Sequence, residues 1–151
     1  MKIAAFVLMA AACSSSGKDT DKASPTGGGM PDQSSVSGNL VLSGALSGTF
    51  HWKSDLAVTC TWVAETKVGE ISVTMTDDTN FIAVRVMSDG QHTQTTLTSA
   101  ALKAPVLESS SGATITGTDL NHASARLDTE AVSKDGSTKV AIKGTIAGAC
   151  R

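Results

Sequence analysis

The stretch Leu56-Ala57-Val58-Thr59-Cys60-Thr61-Trp62-Val63-Ala64 decides the fold. Leu56, Val58, Cys60, Trp62 and Ala64 share one parity, and they alternate with Ala57, Thr59, Thr61 and Val63. A period of two marks a β-strand, whose successive side chains point to opposite faces. The face with the tryptophan is the one to bury. The same reading holds near the other end of the chain. There Val140, Ile142, Ile146 and Cys150 share a parity, while Lys139, Lys143 and Thr145 take the other. Each of these strands carries a cysteine on its apolar side.

Short alternating segments recur between and around these two. Strands are expected at 39–42, 48–52, 56–64, 70–76, 81–87, 93–98, 106–108, 113–118, 123–131 and 138–147. The breaks fall at Asp77-Asp78-Thr79-Asn80, Ser88-Asp89-Gly90, Ser110-Ser111-Gly112 and Lys134-Asp135-Gly136, all chemically suited to turns. The repeated unit Leu42-Ser43-Gly44, Leu46-Ser47-Gly48 reads as a turn between two edge strands. Thr98 to Lys103 is the one interval that fits a short helical turn. Many short strands separated by turn residues predict an all-β fold, a small antiparallel β-sandwich or partly closed barrel. Abundant β-branched threonine suits half-exposed strands. With two tryptophans, three phenylalanines and no tyrosine, the core must be assembled from Val, Ile, Leu, Met and Ala. A disulfide would help so small a core to hold.

The domain begins at about residue 39, and what precedes it is of another kind. Lys2 supplies a positive charge, Ile3 to Met9 form an apolar run, and Ala10-Ala11-Ala12 lead into Cys13. Residues 1–12 have the layout of a bacterial lipoprotein signal peptide, although Ala10 stands where such signals usually have leucine. That layout implies cleavage between Ala12 and Cys13, a lipid on the Cys13 sulfur and an acylated new terminus. The run is shorter than the roughly 20 residues needed to span a bilayer, whereas several acyl chains anchor stably. The expected location is the cell envelope, either the periplasmic side of the outer membrane or the cell surface. Ser14, rather than aspartate, after the cysteine fits outer-membrane sorting. Residues 13–38 then form a flexible linker rich in Ser, Gly and Thr, with Pro25, Pro31 and Gly27-Gly28-Gly29. Such a linker lacks the apolar periodicity that would offset the entropy of ordering it, and it reaches roughly 25–30 Å.

Lipidation of Cys13 leaves Cys60 and Cys150, and in an oxidising compartment a disulfide between them is the default. The loop it closes spans most of the 39–151 domain, which in the chain-entropy model stabilises by roughly 4–5 kcal/mol. No CxxC pair or second cysteine pair points to redox or zinc chemistry.

Catalytic groups are sparse. His51, His92 and His122 stand apart from one another, and His51 with Trp52 and Asp55 is the nearest thing to a site. No Gly-x-Ser-x-Gly elbow follows a buried strand, and no phosphate-binding glycine loop is present. Asp77, Asp78 and Asn80 cluster as oxygen ligands do, but without the spacing of an EF-hand loop, so a hairpin turn is the reading. A formal net charge of −2 with dispersed Lys and Arg argues against nucleic acid as a partner. The expectation is therefore a non-enzymatic domain with no cofactor and no metal.

The lipidated Cys13, the low-complexity spacer and the Val58-Thr59-Cys60 strand make up a recognisable layout. The Gly69-to-Val73 strand, the Ser88-Asp89-Gly90 turn, the Lys134-Asp135-Gly136-Ser137 turn and a last strand ending at Cys150 complete it. In this layout the chain resembles the mycobacterial 19-kDa lipoprotein antigen family, from which the strands at 39–52 depart. The resemblance implies a surface lipoprotein with a β-rich domain, no established enzyme activity, and recognition by host lipoprotein receptors through the lipid. The leading expectation is an anchored β domain that binds an envelope protein or ligand or makes structural contact. A carrier of an apolar ligand between the sheets is one alternative. An inhibitor or immunity-type protein acting through Asp77–Asn80 or Leu102–Ser111 is the other.

Overall fold

A computed structural model describes residues 37–118 and 122–147, so Cys13, the linker and Cys150 lie outside the described residues. Its elements are ten strands: β1 (Ser37–Gly44), β2 (Gly48–His51), β3 (Val58–Val63), β4 (Val68–Thr76), β5 (Phe81–Asp89), β6 (Thr93–Thr98), β7 (Val106–Ser109), β8 (Ala113–Thr116), β9 (Ser124–Val132) and β10 (Lys139–Ala147). Each falls on one of the expected segments. Boundaries differ where local hydrogen bonds outweigh periodicity. Leu56 stays outside β3 because its N–H donates to Lys53 O at 2.9 Å and its carbonyl accepts from Trp52 Nε1 at 3.2 Å. The 98–103 interval makes a turn, not a helix: Leu102 N–H donates to Ser99 O at 3.3 Å, and Ser99 N–H to Pro105 O at 3.0 Å.

All pairings are antiparallel, and eight strands form a closed ring, β10-β1-β2-β4-β5-β6-β7-β9, with β9 returning to β10. The fold is thus an all-β closed barrel. Two strands hang off the ring: β3 extends from β4, and β8 from β9. Two seams of the ring are thin. β2 meets β4 only at His51↔Thr76, and β7 meets β9 only at Glu108↔Val132. The barrel therefore consists of two broad halves, β3-β4-β5-β6-β7 and β2-β1-β10-β9-β8, joined at two corners. This corrects one expectation. The Leu-Ser-Gly repeat does form a turn, with Ser47 Oγ donating to Gly44 O at 3.2 Å, but β1 lies between β10 and β2 and is not an edge.

Closure depends on glycine where two backbones approach. Gly144 takes an inward position on β10, between Leu40 of β1 and Leu127 of β9. A Cβ there would stand 2.0 Å from Asn39 O. Gly69, opposite Trp62, would put a Cβ 2.2 Å from Thr61 O. Missing side chains at such points let strands bend toward closure.

Each ring strand contributes fully buried side chains, among them Leu40, Phe50, Ile71, Val84, Leu107 and Ile142. Each such side chain contributes roughly 1.5–3 kcal/mol on burial. Trp62 is buried with them, and its Nε1 donates to Gly117 O at 3.3 Å, which ties β3 to the end of β8. Trp52 is only partly buried and packs on the core from the β2–β3 loop. Thr95, inward on β6, is fully buried and its hydroxyl has no hydrogen-bond partner among the described residues.

Candidate binding surface

The sequence singled out cysteines, histidines and an acidic turn. Cys60 lies on the inward side of β3 between the buried Val58 and Trp62, half-buried against the core, and its sulfur is engaged rather than free. Its expected partner, Cys150, and the lipidation residue, Cys13, fall outside the described residues. His51 ends β2 with Nε2 3.8 Å from Asp78 Oδ1. That carboxylate is already held by Lys53. The Lys53 hydrogen bond and charge lower the Asp78 pKa, and the same contact raises that of Lys53. The geometry is that of an exposed ion pair, with no nucleophile set against the imidazole.

The acidic cluster is a turn. Asp77 Oδ1 accepts from Asn80 N–H at 2.6 Å and Thr79 N–H at 2.9 Å, so its pKa falls below the ordinary carboxylate range. Asp78 adopts φ 75°, the left-handed conformation that a tight turn asks of Asp or Asn. The oxygens that resembled cation ligands are spent otherwise, those of Asp77 on amides of the turn and Asp78 Oδ1 on Lys53. Among the described residues no group of three or more His, Cys, Asp or Glu is placed to hold a metal. The other hairpins use the same device. Asp89 Oδ1 accepts from His92 N–H at 2.6 Å and Gln91 N–H at 2.8 Å. Asp135 accepts from Ser133 Oγ at 2.5 Å and Ser137 N–H at 3.1 Å, which lowers its pKa to about 2.

What the structure adds is an asymmetry of the exterior. On the β2-β1-β10-β9-β8 half the outward side chains of β9 and β10 include Arg126, Asp128, Glu130, Lys139 and Lys143 among small and hydroxyl-bearing residues. Lys139 pairs with Glu130 at 3.2 Å and Lys143 with Asp128 at 3.5 Å, and Val41 is the large apolar side chain exposed among them. The β3-β4-β5-β6-β7 half carries the other four of the five large hydrophobics exposed among the described residues: Val63 at 50%, Val68 at 43%, Phe81 at 60% and Val106 at 47%. Register explains the grouping. Val63 sits opposite Val68, with Met87 beside them, while Val106 and Ala83 both sit opposite Thr98 next to Phe81. Two apolar patches thus flank a polar centre in which Arg85 Nη2 donates to Glu70 Oε2 at 2.6 Å.

Shallow grooves mark both patches. One of about 320 Å³ is lined by Thr61, Val68, Glu70, Met87, His92 and Gln94. Another, of about 500 Å³, runs along Ala104, Pro105, Val106, Ser133, Lys134 and Asp135. Apolar patches with hydroxyls and one ion pair between them are equipped to hold a partner surface, with polar groups fixing orientation. The first groove is also lined by Ser88 and Asp89; His92 Nδ1 lies 3.4 Å from Asp89 Oδ2, and Ser88 Oγ donates to Lys67 O at 2.7 Å. The sequence had a signal for Val63, an apolar residue on the threonine side of its strand, and it flagged the loop holding Val106. It gave none for Phe81. No protein-family model, curated protein or solved structure matches this chain.

Proposed function

We propose that this chain is a lipid-anchored bacterial envelope protein whose barrel works by binding, not catalysis, through the outer face of β3 to β7. The observation that carries the reading is the grouping of Val63, Val68, Phe81 and Val106 on that one half. Exposed apolar patches rimmed by polar groups are a recognised mark of an interaction site. Fully buried side chains from every ring strand support recognition on the outside rather than between the sheets. The signal layout at residues 1–12 and the spacer after Cys13 support the anchor. The lipoprotein-antigen family remains the proposed relationship, resting on the layout of cysteines and turns.

A Cys60–Cys150 disulfide belongs to the same proposal. Ala147 sits opposite Ser124, which sits opposite Thr116, so one strand, β9, separates the end of β10 from the segment whose Gly117 accepts from Trp62. Cys150 follows Ala147 by three residues, a reach of roughly 10 Å. Cys60 lies two residues from Trp62 on the same face of β3.

A photo-crosslinking side chain at position 81 tests the binding face in intact envelopes, with position 41 on the opposite half as comparison. Saturable cross-links at 81, lost with Val106→Ser, support the reading. Equal labelling at 81 and 41 overturns it, as does saturable turnover of an envelope substrate by the purified chain.

A further inference from the structure

We infer that the β3–β4 hairpin rests, through Val63 and Val68, on the bilayer that holds the anchor. The direction of the strands puts it there. β1 pairs antiparallel with β2, and β2 antiparallel with β4, so β1 and β4 run the same way and start at the same end of the barrel. The chain enters that end at Ser37, the first residue of β1, and residues 13–36 lead to it from the lipidation position. Register carries the hairpin beyond this entry point. Asn39 is level with His51 and His51 with Thr76, which sets Ser37 level with Thr74. Val68, where β4 starts, lies about 20 Å further along the strand. The hairpin thus projects past the point where the linker joins.

The composition of this tip suits an interfacial contact. Val63 and Val68 face each other and are both exposed, with Met87 on the same groove as Val68. Glu65 and Lys67, exposed in the turn between them, carry opposite charges, so the contact is apolar and does not depend on anionic lipid. The turn is braced: Lys67 adopts φ 56°, and its carbonyl accepts from Ser88 Oγ at 2.7 Å. A tip already held in place loses little freedom on contact. Two valines alone would bind a bilayer weakly. The anchor makes the contact intramolecular, at the high effective concentration that a short flexible linker provides. Phe81 and Val106 stand at the opposite end: Phe81 lies opposite Thr76, where β4 finishes, and Val106 opposite Thr98, where β6 finishes. That patch points away from the bilayer and stays open to a partner. The inference rests on the proposed anchor at Cys13 and divides the proposed binding face, with its near patch on lipid and its far patch on the partner.

Fluorescence quenching of the acylated full chain in phosphatidylcholine vesicles with brominated acyl chains provides the test. A fluorescent side chain replaces Thr66 at the hairpin or Thr79 at the far end, both exposed. A tip seated at the headgroup boundary is expected to be quenched about twofold or more above the far end. Val63→Ser with Val68→Ser removes that difference while the chain stays in the vesicle fraction and keeps its far-UV circular dichroism. Val106→Ser, at the far end, leaves it unchanged. Equal quenching at 66 and 79 in a chain that is held by the vesicles overturns the inference and spares the anchor. Quenching at 66 that survives the double substitution also overturns it. A chain absent from the vesicle fraction overturns the anchor and the docking together.

Discussion

Thr95 and Gly144 are the two residues at which the barrel departs most from a simple apolar interior. Thr95 is enclosed with a hydroxyl unpartnered among the described residues, and leaving such a group unsatisfied costs about 1–3 kcal/mol. Thr95→Val retains the shape and is expected to stabilise the fold by about 1 kcal/mol in denaturant titration. A destabilised variant would mean that the hydroxyl has a partner in solution. Gly144→Ala should do the opposite. A Cβ 2.0 Å from Asn39 O must push β1 and β10 apart, and a loss of more than about 2 kcal/mol is expected from strain of that kind. An unchanged melting temperature would contradict it. The parity of Val140, Ile142 and Ile146 already placed Gly144 inward. It did not say why glycine was needed, because the constraint comes from Asn39, far away in sequence. Thr95 was invisible for the converse reason: threonine on a strand reads as half-exposed.

At the scale of the element, three hairpins are closed by aspartates. Asp77, Asp89 and Asp135 each accept backbone amides, and each carboxyl is held below its ordinary pKa. A depressed folded pKa adds stability above the unfolded value, about 3.9, and that stability fades as pH falls through the folded value. For Asp135 the window runs from about 4 down to about 2. The Asp135→Ala chain is expected to lose less stability than wild type on acidification over that interval, as followed by thermal melts. Parallel pH profiles would contradict the assignment. These turns were readable from sequence because Asp-to-amide capping is local. The seams at His51↔Thr76 and Glu108↔Val132 were not, since each joins strands through one pair of positions with no pattern of its own. That is also why β1 read as an edge and β3 did not.

At the scale of the molecule, the proposal combines an anchor at Cys13 and a strap from Cys60 to Cys150 with the apolar patches on the outer face of one half of the barrel. Reduction of the strap is expected to remove roughly 4–5 kcal/mol of stability, and an unchanged unfolding midpoint under reductant would exclude it. All ten strands were legible because alternation is strong in each. The face was not, because Val63 meets Val68 only once β3 and β4 pair, and Phe81 nears Val106 only across β6. The proposal that this is an exported, anchored and strapped barrel is tested most directly by the intact mass of the membrane-fraction chain, before and after reduction. The expected species begins at Cys13, carries acyl chains, and gains the two hydrogens of one opened disulfide on reduction. A chain that retains Met1, lacks acyl mass and shows no shift with reductant would contradict it.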